Sequence, residues 1–228
     1  MPEPTRWAGV AAAAVTIAVM AAGCGSSSSS SLASKTPSQI VAAAESAIKG
    51  ATNYEVSGSG TTSTGITSFD LKVVGTNISG SFVLNGASID MVEVASNIYI
   101  KAPASFYAAK GASAAGAELL GGAWVEITAG SSYASNFSSL SNITDLPSKL
   151  SSTTATFTSD GTGTVDGQSV VFLKDTTSGD VVAIATSGPA YPLQVKETGS
   201  TPGTYDLSNW NSVATFTAPP NPVKLPSA

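Results

Sequence analysis

No histidine occurs anywhere in the 228 residues, and there is a single cysteine. The first absence removes Ser-His and Cys-His nucleophile pairs, a histidine general base and any histidine-ligated metal. The second removes an internal disulfide and any cysteine-rich zinc site. Charge is also scarce. Asp, Glu, Lys and Arg make up 11% of the chain, against roughly 25% in average soluble proteins. Lys and Arg number 10 and Asp and Glu 15, a net charge of −5, which speaks against nucleic-acid binding because no basic patch is available for phosphates. Aromatics are only 7%. What fills the chain instead is Gly, Ser and Thr beside 42% hydrophobic residues. That is too apolar for a disordered chain and suits short strands joined by tight turns.

The apolar residues begin with an address. Residues 1–23 read as a secretory signal, with Arg6 as its charged start and an apolar stretch from Trp7 to Met20 that is short for a membrane span. The stretch ends in Ala21-Ala22-Gly23-Cys24, small residues before a cysteine, as in a bacterial lipobox. Cys24 is therefore the expected lipidation site. Residues 24–35 form a Ser-rich tether without core-forming side chains. Two acyl chains on Cys24, at about 0.8 kcal/mol per buried methylene, give a stable anchor. The expected location is the extracytoplasmic face of the cell membrane, with the body at 36–228.

Thr36-Pro37-Ser38-Gln39 carries the signs of a helix start: a cap, a proline in the first turn and a capping-box glutamine. Ile40, Val41, Ala44, Ala47, Ile48 and Ala51 then share one helical stripe, Glu45 and Lys49 pair on the outer side, and Gly50 is a stop. Strands are predicted at Asn53–Gly60, Ile66–Val74, Ser81–Leu84, Ser88–Val94 and Asn97–Lys101, with turns at Asn85-Gly86 and Ser96-Asn97. The stretches Pro103–Lys110, Ala112–Leu120 and Ser131–Leu150 have helical spacing in places, with Ala123–Thr128 as a strand among them. Strands resume at Thr154–Ser159, Gly163–Val165, Ser169–Asp175, Asp180–Thr186, Tyr191–Thr198 and Gly203–Leu207, and a proline-rich tail, Ala218–Pro226, is expected to lie extended on the surface. The class is α+β: a curved antiparallel sheet of roughly ten strands, one opening helix and a central helical insertion over the apolar face.

Four segments carry a family likeness: MVEVASNIYIKAP at 91–103, GAWVEIT at 122–128, GQSVVFLKDTTSGDVVAIATSGPAYPL at 167–193 and YDLSNWNSVATFTAP at 205–219. With the lipobox and tether, they make the chain resemble the actinobacterial lipoproteins of the LppX/LprA/LprF/LprG type, related in fold to the LolA and LolB carriers. The resemblance implies a half-open barrel whose helices close over an apolar cavity for acyl chains. It also implies a role in moving lipids or glycolipids from the plasma membrane toward the envelope, with a transporter or acceptor protein as a further partner. No cofactor, metal or catalysis is implied.

The candidate cavity residues are Phe69, Leu71 and Val73 on one strand, Phe82 and Leu84 on the next, and Ile98 and Ile100 beyond, with Ile40, Val41, Ala44 and Ile48 as the facing wall. Apolar alternation alone equally describes a plain filled core. In that case the protein is a non-catalytic envelope lipoprotein binding a protein or cell-wall partner by its surface. Gly111, Gly116, Gly121 and Gly122 are candidate hinges for a gate formed by 103–150.

Other motifs have plainer explanations. Ser46 and Lys49 match S-x-x-K, but no K-T-G or S-D-N accompanies them. Asp160, Asp166, Asp175 and Asp180 fit no calcium-loop spacing and suit hairpin turns. Trp124 and Trp210 suit core packing more readily than sugar stacking.

Overall fold

The computed structural model describes residues 31–60, 65–127, 144–145, 147, 156–199 and 202–225. The expected signal segment, Cys24, most of the tether and nearly all of Ser131–Leu150 lie outside the described residues.

After a single 3-10 turn, Leu32–Ser34, helix α1 runs over Pro37–Lys49. Its start is as the sequence predicts: Gln39 N–H donates to the Thr36 hydroxyl at 3.4 Å, and Thr36 N–H donates to the Gln39 side-chain oxygen at 3.1 Å. Strands β1 (Asn53–Gly60), β2 (Ile66–Val74), β3 (Asn77–Leu84), β4 (Ala87–Val94) and β5 (Asn97–Lys101) follow as a meander. Helices α2 (Ala104–Ala109) and α3 (Ala114–Leu120) come next, then β6 (Trp124–Ile127). A second meander comprises β7 (Phe157–Val165), β8 (Gln168–Asp175), β9 (Val181–Ala185), β10 (Pro192–Glu197) and β11 (Gly203–Ser208), and β12 (Val223–Lys224) ends the described chain.

All twelve strands belong to one curved sheet, ordered β12-β6-β5-β4-β3-β2-β1-β11-β10-β9-β8-β7. The sheet is not closed, since β12 and β7 remain its two edges. Strand β1 is the seam between the meanders, pairing with β2 on one side and β11 on the other. Pairings are antiparallel except that of β12 with β6, which is parallel. Twelve strands rather than roughly ten arise in part because the tail, expected to lie free on the surface, supplies β12 as an added edge. Phe157–Ser159 of the first predicted span and Gly163–Val165, read separately from the sequence, are parts of one strand, β7, with a bulge between Ser159 and Thr162.

Turn chemistry sets the registers. Asn85 and Gly86 have φ of 50° and 82°, as a two-residue turn that matches strand twist requires. The β4–β5 turn sits at Ala95-Ser96, one residue earlier than the sequence suggested, with φ of 51° and 66°. Ser96 gave the signal, but the register Val94↔Asn97 puts Asn97 already in the strand.

The registers also define the inner face. Val125, Ile100, Met91, Gly80, Leu71, Val56 and Leu207 form one row across seven strands. Most of its side chains are fully buried, and truncating one to alanine costs about 2–5 kcal/mol. Helices α2 and α3 pack over the first half of this face through Tyr107 and Ala117. Helix α1 packs over the second half, where Ile40 and Ala44 meet Val171, Leu173, Val182 and Ile184. The first helix thus faces the second meander and not the strands of Phe69 and Phe82. Val195 of β10 touches both clusters and joins them into one interior.

Candidate functional site

Among the described residues, two cavities on the inner face stand out. The first, about 240 Å³, lies beneath α2 and α3. Its floor is Leu84 of β3, Ile100 of β5, and Val125 and Ile127 of β6. Its cover is Phe106, Tyr107, Ala112 and Leu120, and Leu225, just after β12, closes one side. Lys110 and Gly111 complete the lining at the junction of the two helices. Gly111 has a φ of 92°, which favours glycine, and open space lies where a Cβ would point. At the other end of α3, Gly121 lies so close to α2 that a Cβ would sit 2.9 Å from the Ala104 side chain. The two short helices are therefore in direct contact where α2 begins and α3 ends.

Among the described residues around this cavity, two side chains carry polar atoms beyond the backbone, Tyr107 and Lys110. Burial pushes the Tyr107 phenol up to about 12, partly offset by the Ala102 backbone beside it. Its hydroxyl is enclosed, with no hydrogen-bond partner of ordinary geometry among the described residues.

The second cavity, about 420 Å³, lies near the end of α1. It is lined by apolar Ile48, Val73, Ile78 and Pro147, by the rings of Tyr54 and Trp210, and by polar Thr52, Thr76, Glu93, Thr144 and Asp145. Glu93 occupies an inner-face position between Ile78 and Ile98 in register, and burial raises its carboxyl above the usual range. Burial, with Asp145 adding to it, also raises the Tyr54 phenol well above normal, and its hydroxyl donates to the Thr144 carbonyl. Trp210 stacks on Tyr54 at 4.9 Å and on Tyr191 at 4.5 Å, and its indole N–H donates to the Pro192 carbonyl at 3.2 Å. Its ring is committed to packing, as a core tryptophan's should be.

The sequence-predicted cavity residues are divided among these places. Leu84 and Ile100 line the first cavity, and Ile48 and Val73 line the second. Phe69, Leu71, Phe82 and Ile98 are buried in the sheet cluster, where Phe69 stacks with Tyr205 at 5.8 Å. Ile40 and Ala44 are buried, and Val41 half-buried, against β8 and β9. Sequence reasoning missed Phe106, Tyr107, Lys110, Ala112 and Leu120, and also Leu225. Alternation of Val125 and Ile127 was the available signal for β6, but helices as short as α2 and α3 leave little periodicity to read.

The remaining motifs are structural. Ser46 is exposed, and Lys49 sits 3.7 Å from Glu45. Asp175 accepts from Thr177 N–H at 2.7 Å and Asp180 from Thr198 N–H at 2.8 Å. Among the described residues no group of three or more His, Cys, Asp or Glu is placed to hold a metal.

No protein-family model matches the chain, and no curated protein matches it in sequence. Solved structures do match. LprF from Mycobacterium bovis superposes with a TM-score of 0.58 at 14% identity, covering 79% of this chain and 95% of that one. The Mycobacterium tuberculosis lipoprotein LppX superposes with a TM-score of 0.52 at 18% identity, covering 79% of this chain and 99% of that one. At such identities the likeness establishes architecture, and the architecture is the one the sequence resemblance implied. The chain folds as LprF and LppX do, into one large curved, open and mostly antiparallel sheet with few helices.

Proposed function

We propose that the protein is a membrane-anchored, non-enzymatic lipoprotein that binds a lipid or glycolipid in the cavity beneath α2 and α3, to carry it toward the cell envelope or hold it there. The observation that carries this reading is the lining of that cavity, hydrocarbon on floor and cover alike. Burying an acyl chain there gains about 25 cal/mol per Å² of apolar surface removed from water, with no covalent step. The volume, about 240 Å³, lies under the roughly 300–1,000 Å³ of complete small-molecule sites. It therefore suits part of one chain until α2 and α3 move apart. Gly111 and Gly122, both with positive φ, are the hinges of that movement.

Anchoring is assigned to acylated Cys24, with 1–23 removed as the signal and 24–35 as the tether. No helix among the described residues is long and apolar enough to cross a membrane. A transporter or acceptor in the envelope would receive the cargo.

The test is to purify the full-length protein from membranes and measure non-covalently bound lipid by native mass spectrometry and solvent extraction. A stoichiometric acylated species supports the reading. A lipid-free protein that also refuses added lipid would instead favour the second reading, a filled core with a protein or cell-wall partner. The full burial of Ile40, Leu71, Ile89 and Leu173 suits that second reading. Anchoring has its own check: Cys24→Ala should shift the protein out of the membrane fraction.

A further inference from the structure

The hydrocarbon lining of the first cavity is interrupted by two polar side chains, Tyr107 and Lys110. Tyr107 is 6% exposed, and its hydroxyl has no hydrogen-bond partner of ordinary geometry among the described residues. A buried hydroxyl left so costs about 1–3 kcal/mol, and a well-packed fold without use for it would carry phenylalanine there. Lys110, at the C-terminal end of α2, forms no ion pair among the described residues. Its ammonium stands 5.8 Å from the centre of the Phe106 ring, another cavity-lining group. Beside it, Gly111 leaves open space where a side chain would stand. An enclosed hydroxyl donor beneath α2, a cation at the rim and apolar walls around them match the polar head and the chain of an amphiphile.

We infer that this cavity selects an amphiphile with an acidic head, a carboxylate or a phosphate, whose charge is met by Lys110 and whose head oxygen accepts a hydrogen bond from the Tyr107 hydroxyl once α2 and α3 part and uncover it, the acyl chain lying along Leu84, Ile100 and Val125. The inference rests on the lipid reading above and adds the chemistry of the head. In a chain carrying an excess of acidic residues, an unpaired lysine at the mouth is the feature that makes an anion welcome. Hydrogen bonds to charged groups are stronger than neutral ones, so the acid should outbind its own ester.

The test uses the full-length protein held in amphipol, with equilibrium binding of palmitate, methyl palmitate, hexadecane, hexadecyl phosphate and inorganic phosphate. Palmitate and hexadecyl phosphate should bind about tenfold more tightly than methyl palmitate, in proportion to one charge-assisted contact. Raising the salt should narrow that gap, because the lysine is exposed. Lys110→Ala should abolish the preference of acid over ester, and Lys110→Arg should retain it. Tyr107→Phe should weaken palmitate and methyl palmitate, both of which offer a carbonyl oxygen, and leave hexadecane unaffected. The same variant should leave the empty protein as stable as before or more so, which a merely structural hydroxyl would not allow.

Equal affinity for acid and ester in the unaltered protein, or a preference that survives Lys110→Ala, overturns the inference while the lipid reading stands. Inorganic phosphate binding as tightly as hexadecyl phosphate would make this a free-anion site and overturn it too. If neither hexadecane nor any acyl compound binds, the lipid reading itself falls, and the inference with it.

Discussion

The two cavities share one face of one sheet, yet the larger is the less suited to a hydrocarbon chain. At about 420 Å³ the cavity near α1 exceeds the one beneath α2 and α3 at about 240 Å³. Its walls nevertheless include two carboxylates and three threonines, whereas the smaller one has a single hydroxyl and a single ammonium. The place of Glu93 in the larger cavity comes from strand register. Along β4, Met91 and Ile89 keep the inner face apolar, and two residues from Met91 toward the turn Glu93 takes the same side. A single strand thus delivers hydrocarbon at its middle and a carboxylate at its end. For an acyl chain, composition of the wall decides and volume does not.

The sharpest way to break the comparison is to fill each cavity in turn. Ala112→Trp places an indole in the smaller cavity and should lower lipid capture at least about tenfold, the loss of roughly 1.4 kcal/mol of binding. Ala51 also lies on the wall of the larger cavity, and Ala51→Trp should leave capture unchanged. Bound lipid per protein, measured by mass spectrometry, reads both. Equal losses would mean that the two spaces act as one site.

The next effect concerns the cover. Gly121→Ala puts a methyl group 2.9 Å from the Ala104 side chain and 3.0 Å from its backbone nitrogen. Relief requires α3 to move off α2, at a cost of about 1–3 kcal/mol in stability. The midpoint of denaturant unfolding should fall, and amide exchange should quicken over 104–120 but not over α1.

The smallest effect separates the cavities by acidity. Burial raises the folded-state pKa of Glu93 above its ordinary 4.5. The folded protein then binds this proton more tightly than the unfolded chain does. The charged carboxylate therefore costs stability at all pH values above its folded pKa, and that cost fades as pH falls to the ordinary value and below. Glu93→Gln should raise the thermal midpoint slightly at pH 7, with the gain shrinking toward pH 4. Thermal melts of the two proteins at a series of pH values provide the check.

Much of this architecture was legible because it is local. The capping box of Thr36 and Gln39, the Asn85-Gly86 turn and the period-two run through Phe69, Leu71 and Val73 each depend on a few neighbouring residues. The site was less legible because it is assembled across the chain. Leu84 and Ile100 were found by alternation, yet alternation is the same for a residue lining a space and one filling it, as Leu71 and Phe82 show. Tyr107 and Lys110 sit on a helix of six residues and at its end, too short for a periodic signal. Leu225 was hidden by its surroundings, since prolines at 219, 220 and 222 pointed to an exterior tail. Helix α1 was read correctly as amphipathic, but nothing in its stripe said which half of the sheet would receive it.

The parallel pairing of β12 with β6 gives the smaller cavity a late birthday. Val223 lies opposite Val125 across that pairing, and Leu225 follows it into the wall. A chain emerging from its amino terminus can build every hairpin of the first meander, and lay α2 and α3 in place, long before residues 223–225 exist to close the side. Until then the pocket is a trough open along β6, wider than in the finished protein. The closing segment is also held by few backbone bonds at a sheet edge. A tag fused shortly after Leu225 therefore belongs, in mechanical terms, to the rim of the binding site.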